Sequence, residues 1–162
     1  MGGNARGIGV KKSASGKVSS SDGAAPIPTT RVLVVEDSES SRAAICEHLR
    51  DEQFEPEEAE NGAIGVEKFE AGSFDLILMD IRMPTMDGYE AIRRIRAWEQ
   101  THHLARTPII AFTASSLEED VERAREAGAD LHVAKPVKRE ALATAIRSLL
   151  RSEDEGGAIA SS

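Results

Sequence analysis

Three scarcities bound what this chain of 162 residues can be. It has one cysteine, Cys46, so no intrachain disulfide framework is possible, and that usage fits a reducing compartment. No apolar run approaches the roughly 20 residues that a membrane-spanning helix needs, and the basic residues near the N-terminus precede no apolar segment of the signal-peptide kind. A cytoplasmic location follows as the expectation. A surplus of positive charge is also missing. With 20 Lys and Arg against 28 Asp and Glu the net charge is -8, which argues against a general nucleic-acid binder, since that would need a basic face for phosphates.

What is present is a globular mix, 40% hydrophobic and 30% charged, in a length that suits one domain with a real core. Residues 1–30 are rich in Gly, Ser, Ala and Lys and end in "APIPTT", and they read as a flexible leader. Residues 152–162, "SEDEGGAIASS", read as a disordered tail. Between them short apolar runs alternate with segments of helical spacing. "RVLVVE" (31–36) predicts a strand. Residues 38–52 predict a helix with Ser38 as N-cap and Ala43, Ile45, Cys46 and Leu49 on its packed side. "FEPEEAE" (54–60) predicts a weak, acidic edge strand containing Pro56, and 62–72 a short helix closed by Gly72.

The theme then repeats. "FDLILMD" (74–80) is a strand. Asp87 caps a helix running to about Glu99, with Ile92, Ile95 and Trp98 on one side. "TPIIAFTA" (107–114) is a strand, 116–128 a helix with an acidic first turn and a Gly stop. Residues 129–135 form a strand and 138–151 a helix. Five consecutive βα units imply an α/β fold, a doubly wound parallel sheet. Ligands in such sheets bind beyond the carboxyl ends of the strands.

Those carboxyl ends carry an unusual set of side chains. The third apolar run stops on a carboxylate, Asp80, followed by Arg82, Met83-Pro84 and Asp87-Gly88. A lone buried aspartate would be costly, so Asp80 either caps something or does chemistry. The first strand ends in Glu36-Asp37, the fourth in Thr113 and the fifth in Lys135-Pro136. Three carboxylates held close repel unless a cation neutralises them or a pKa rises. Oxygen ligands of this kind suit Mg²⁺. An aspartate can act as nucleophile to form an acyl phosphate, and phosphoryl transfer needs positioning and charge neutralisation. The rim therefore has the parts to accept a phosphoryl group on Asp80.

"LVVEDS", "LILMDIRMPTMDGYE", "IIAFTA" and "VAKPV" occur in the order and at the spacing of one family. Over residues 31–151 the chain resembles the receiver domain of two-component response regulators, and the receivers of hybrid histidine kinases among them. The resemblance implies a flavodoxin-like (βα)5 fold with strand order 2-1-3-4-5. It implies Asp80 as phosphoacceptor, and Mg²⁺ held by Glu36, Asp37, Asp80 and the backbone carbonyl of Arg82. It assigns Thr113 and Lys135 to stabilising the phosphoryl group, makes the peptide before Pro136 cis, and makes Thr113 and the residue three before Lys135 the switch pair. That residue, usually Tyr or Phe, is His132 here. The implied partners are a histidine kinase or histidine phosphotransfer protein upstream. Downstream, a protein would dock on the face built from the fourth helix, fifth strand and fifth helix, residues 116–151. The implied function is a phosphorylation-controlled switch, not an enzyme beyond its own phosphorylation and slow autodephosphorylation, with no direct nucleic-acid or membrane contact.

Two other functions share these residues. One is a Mg²⁺-dependent aspartyl phosphohydrolase, but such hydrolases favour a second Asp two residues beyond the nucleophile, where Arg82 stands. The other is a phosphate-independent binding module, against which an intact Asp80, Thr113 and Lys135 argue. The leader "MGG....GIGVKKSASGKVSS" resembles, in broken form, the glycine-rich stretch of histidine-kinase ATP-binding domains, or is a Gly/Ser linker. Cys46 reads as a core thiol, His102 and His103 as solvated loop residues, and "LEEDVERARE" as a solvated helix face. His48 gains no phosphohistidine role.

Overall fold

The computed structural model describes residues 29–114 and 117–161, with side chains through Arg151. The leader expected at 1–30 therefore lies outside the described residues except for its last two positions. Among the described residues ten elements alternate: β1 (Arg31–Val35), α1 (Glu39–Asp51), β2 (Glu55–Ala59), α2 (Gly62–Ala71), β3 (Leu76–Asp80), α3 (Gly88–Thr101), β4 (Ile109–Thr113), α4 (Glu118–Ala127), β5 (Leu131–Ala134) and α5 (Arg139–Ser161). The five strands form one parallel sheet in the order β2-β1-β3-β4-β5. This is the flavodoxin-like arrangement that the alternation and the motifs predict.

Every residue of β3 and β4 is buried. Their apolar runs are continuous because helices cover both faces of a parallel sheet. One core joins α2, α3 and α4 to the sheet through Val66, Phe69, Ile92, Ile95 and Ala124. The other joins α1 and α5 through Ile45, Cys46, Leu49, Leu142 and Ile146. β2 lies at the sheet edge, where Pro56 and three glutamates, Glu55, Glu57 and Glu58, are tolerated.

Helix starts follow local chemistry. Ser38, Asn61 and Asp87 cap α1, α2 and α3, accepting from the amides of Ser41, Ile64 and Glu90. Gly128 ends α4 with φ +123, a conformation in which a Cβ is strained.

Two expectations need correction. Ala43 was expected on the packed side of α1 but is exposed, since Ile45, Cys46 and Leu49 alone fill the stripe against the sheet. The backbone of α5 continues to Ser161, ten residues past the helix end expected at Arg151. The lack of apolar periodicity in 152–162 speaks to packing. It does not stop a formed helix from propagating, because each further residue adds one hydrogen bond. Among the described residues no helix is long and apolar enough to cross a membrane.

Candidate functional site

Strand register brings the rim residues level. Val35 pairs with Met79, so Glu36, one residue on, stands beside Asp80. Asp80 pairs with Phe112, so Thr113 is one step beyond it. Thr113 pairs with Ala134, which sets Lys135 one step further. The ladder continues past the strand ends through Ile81 N–H to Phe112 O (3.1 Å) and Lys135 N–H to Thr113 O (2.8 Å), so the rim is held by backbone bonds and does not rest on a loose loop.

Carboxylate oxygens of Glu36, Asp37 and Asp80 lie within 4.8 Å of one another. Asp80 and Glu36 are fully buried, and Asp37 is exposed. Lys135 donates to Asp80 Oδ1 at 3.1 Å, and its Nζ lies 3.6 Å from Glu36 Oε1. Glu36 Oε2 accepts from the Ser38 amide at 3.1 Å, and the Glu36 carbonyl accepts from Arg42 at 2.8 Å. Three buried oxygens on this rim have no hydrogen-bond partner: Glu36 Oε1, Asp80 Oδ2 and Thr113 Oγ1. Buried polar atoms are normally satisfied, so three orphans together mark a place prepared for something else.

Electrostatics agree. Burial first, and then the charge of Glu36, push the Asp80 carboxyl up to about 7 against the pull of Lys135. Burial pulls on the Lys135 ammonium in the opposite sense, but Asp80, Glu36 and Asp37 outweigh it and hold the pKa above the ordinary lysine value. The metal-free rim is therefore a strained set of like charges with one cation between them. Oxygen donors in this number and spacing, with unsatisfied lone pairs facing one another, fit a small hard divalent ion.

The loop leaving Asp80 is built tightly. Gly88 N–H donates to Ile81 O at 2.8 Å. A Cβ at Gly88 would stand 2.4 Å from Asp80 O and 2.7 Å from Ile81 Cα, so only glycine lets α3 start this close to the strand. Met86 N–H returns to Pro84 O at 2.8 Å around Thr85, whose φ is 72, a γ-turn geometry that is strained for a β-branched residue. A cleft of about 460 Å³ opens beside the loop, with Arg82, Tyr89, Thr113 and Arg123 among its walls.

The structure thus brings Glu36, Asp37, Asp80 and Lys135 together, with Thr113 adjacent and Arg82 at the cleft. The Lys135–Pro136 peptide is cis. His132 stands apart: its side chain is exposed on the edge strand β5. Sequence reading passed over Arg42, which bonds the Glu36 carbonyl and also pairs with Glu58 at 2.9 Å, because nothing local marks a helix-surface arginine as a support for the site. The close approach at Gly88 is likewise unmarked in the local pattern, which shows Asp87 only as a helix cap.

The chain is similar to known proteins. The sequence model of the response regulator receiver domain matches residues 32–147. The chain is 46% identical over 81 residues to probable histidine kinase 2 of Oryza sativa subsp. indica, which is 50% of this chain and 8% of that kinase, so the chain spans under a tenth of that protein's length. Among solved structures it is similar to the receiver domain of sensor histidine kinase PA1611 of Pseudomonas aeruginosa PAO1, which has a magnesium ion coordinated in its active site cleft (36% identity, TM-score 0.67, 75% of this chain and 97% of that one). It is also similar to the receiver domain of Saccharomyces cerevisiae Ssk1, solved with the histidine phosphotransfer protein Ypd1 (31% identity, TM-score 0.69, 74% and 87% covered). With the fold, the strand order and the acidic rim all in place, the chain belongs to the response regulator receiver domain family of two-component signalling.

Proposed function

We propose that this receiver domain takes a phosphoryl group on Asp80 from a histidine kinase or a histidine phosphotransfer protein and changes what its surface binds. The observation that carries the reading is the trio of buried oxygens without a hydrogen bond beside Lys135: Glu36 Oε1, Asp80 Oδ2 and Thr113 Oγ1. Each has an assignment in that chemistry. Asp80 Oδ2, free of hydrogen bonds, is the attacking oxygen, while Lys135 holds Oδ1 and so orients the carboxylate. Asp37, Glu36, Asp80 and the Arg82 carbonyl would hold Mg²⁺, which supplies charge neutralisation for the transferred phosphoryl group when bound. The Thr113 hydroxyl donates to a phosphoryl oxygen, and Lys135 pairs with another.

Residues 31–151 form the receiver unit in this reading, with cytoplasmic location. Output runs through the α4, β5 and α5 face, and Thr113 and His132 are the switch pair. The exposed position of His132 corresponds to the outward, unphosphorylated setting. The Ypd1 complex of the Ssk1 receiver and the likeness to histidine kinases support the class of partner. Arg82 at the second position after Asp80 leaves the hydrolase reading without its second acid.

Incubation with Mg²⁺ and a small phosphodonor, followed by peptide mass mapping, should place one base-labile adduct on Asp80. Asp80→Asn should take no label, and full labelling of that variant would overturn the assignment.

A further inference from the structure

The turn from β1 into α1 presents two of the three rim carboxylates, and they are held unequally. Glu36 is buried and fixed at its amide, which donates to Ala59 O at 3.0 Å, and at its side chain, where Oε2 accepts from the Ser38 amide at 3.1 Å. Asp37 is exposed, so packing does little to fix its side chain. Its placement is inherited from the peptide that joins it to Glu36, a rigid planar unit in which the direction of the carbonyl sets the position of the next Cα.

Arg42 holds that peptide. Its backbone amide closes the first turn of α1 on Ser38 O at 2.8 Å. Its side chain reaches back over the same turn, and Nη1 donates to Glu36 O at 2.8 Å. Nε of the same guanidinium pairs with Glu58 on β2 at 2.9 Å. A planar guanidinium bonded at two of its nitrogens to different partners is fixed in orientation. The Arg42 side chain is 13% exposed against 46% for Glu58, so the bond at the Glu36 carbonyl is the sheltered one. Glu58 precedes Ala59, whose carbonyl holds the Glu36 amide. Strand β2 therefore grips Glu36 twice, once directly and once through Arg42.

We propose that Arg42 is a positioning residue for the metal site: by fixing the Glu36–Asp37 peptide it keeps the exposed Asp37 carboxylate beside Asp80, and the rim binds Mg²⁺ more tightly as a result. The inference rests on the Mg²⁺ reading of the rim, and Arg42 acts through the Glu36 carbonyl. Removing Arg42 has two effects of opposite sign. Loss of a positive charge near three carboxylates favours a dication. Loss of the anchor frees Asp37 and disfavours it. Glu58, at 2.9 Å, already offsets part of the Arg42 charge, and groups that orient metal ligands commonly change affinity tenfold or more, so the anchor effect wins.

Mg²⁺ titrations followed by amide NMR shifts, together with amide relaxation on the metal-free protein, test this. Arg42→Met, which keeps an unbranched stem, should bind Mg²⁺ about tenfold more weakly than wild type, the lower end of the range for groups that orient metal ligands. Without metal, its Asp37 amide order parameter should fall from about 0.85, the rigid-backbone value, toward about 0.6, while the β1 amides stay as they were. Arg42→Lys keeps the charge without the planar fork. It should bind Mg²⁺ with an affinity between the other two, and it carries the test if Arg42→Met does not fold. Equal or tighter binding by Arg42→Met leaves the charge effect alone and overturns the proposal. So does wild-type rigidity at its Asp37, or wild-type Mg²⁺ affinity in Arg42→Lys. A wild-type protein with no Mg²⁺-dependent shift at Glu36, Asp37 or Asp80 overturns the Mg²⁺ reading and with it the metal role of Arg42. The metal-free relaxation comparison then still decides whether Arg42 fixes the turn.

Discussion

Two charged clusters occupy opposite ends of the same sheet, and they are built on opposite principles. At the amino ends of β4 and β5, Arg96 bonds Glu99, Thr107 O, Gly128 O and Asp130 at 2.8 to 3.0 Å. The acids there are saturated. Glu99 Oε2 accepts from the Thr107 amide at 2.7 Å, Asp130 Oδ2 from the Ile109 amide at 2.9 Å, and Asp130 Oδ1 from Arg106 at 3.1 Å. At the carboxyl ends Glu36, Asp80 and Thr113 each keep a buried oxygen without a hydrogen bond. Both clusters bury charge. One gives every carboxylate oxygen at least one hydrogen bond and so fastens α3, the 102–107 loop and the α4–β5 turn together. The other leaves lone pairs open, which destabilises the resting fold and makes room for ligands. A satisfied polar network rigidifies, and an unsatisfied one is a reserve of free energy.

The contrast predicts opposite signs for comparable substitutions. Arg96→Met should cost the most, about 3–5 kcal/mol, because Glu99 and Asp130 would keep their charges without the cation. Urea unfolding of the two proteins reads this directly, and an unchanged midpoint would mean that the cluster fastens nothing.

Asp80→Asn should do the reverse and stabilise the metal-free protein by about 2–4 kcal/mol above pH 7, since a carboxyl near 7 when folded against an ordinary value of 3.8 opposes folding once ionised. The folded state holds the proton more tightly, so wild-type stability from this group falls as pH rises from about 4 to about 7, and stays low beyond. The stabilisation by Asp80→Asn should therefore shrink toward zero near pH 4. Melts of both proteins in chelator across that range check it.

Mg²⁺ should then narrow the gap. At a hundredfold over its Kd, a ligand bound only by the folded state adds about 2.7 kcal/mol. Wild type should gain that, while Asp37→Asn, which removes one of the three carboxylate ligands, should need far more Mg²⁺ for the same shift in melting temperature. Equal titrations would put the ion elsewhere. The smallest effect sharpens the boundary of the site. Ser38 caps α1 through its side chain and gives its own amide to Glu36. Ser38→Ala should cost only the cap, about 1 kcal/mol, and leave Mg²⁺ affinity as it was, because the amide stays.

The sequence made the site more legible than the saturated cluster for a physical reason. Asp80, Thr113 and Lys135 stand where apolar strands stop, so each is marked by its context. Arg96, Glu99 and Asp130 lie in charge-rich helical or turn segments, where solvated side chains are the default, and Arg96 and Asp130 are 34 residues apart. Ala43 misled for a related reason. At 3.6 residues per turn Ala43 stands about 110° round the helix from the centre of the stripe that Ile45, Cys46 and Leu49 form, and so faces away from the sheet. The end of α5 is not legible in apolar periodicity, which marks where a helix packs, whereas the backbone propagates without packing.

The order and type of the elements, the two-sided burial of β3 and β4, and the identities on the rim were all fixed by local pattern. Burial on both faces demands unbroken apolar runs, and a charge ending such a run has nowhere to go but the rim. Register, orphaned oxygens, the raised Asp80 pKa and the Arg123–Tyr89 contact were decided only by the folded chain. Each depends on distances between residues far apart in sequence, and hydrogen bonding, desolvation and cation–π attraction all act over a few ångströms of space, whatever the separation along the chain.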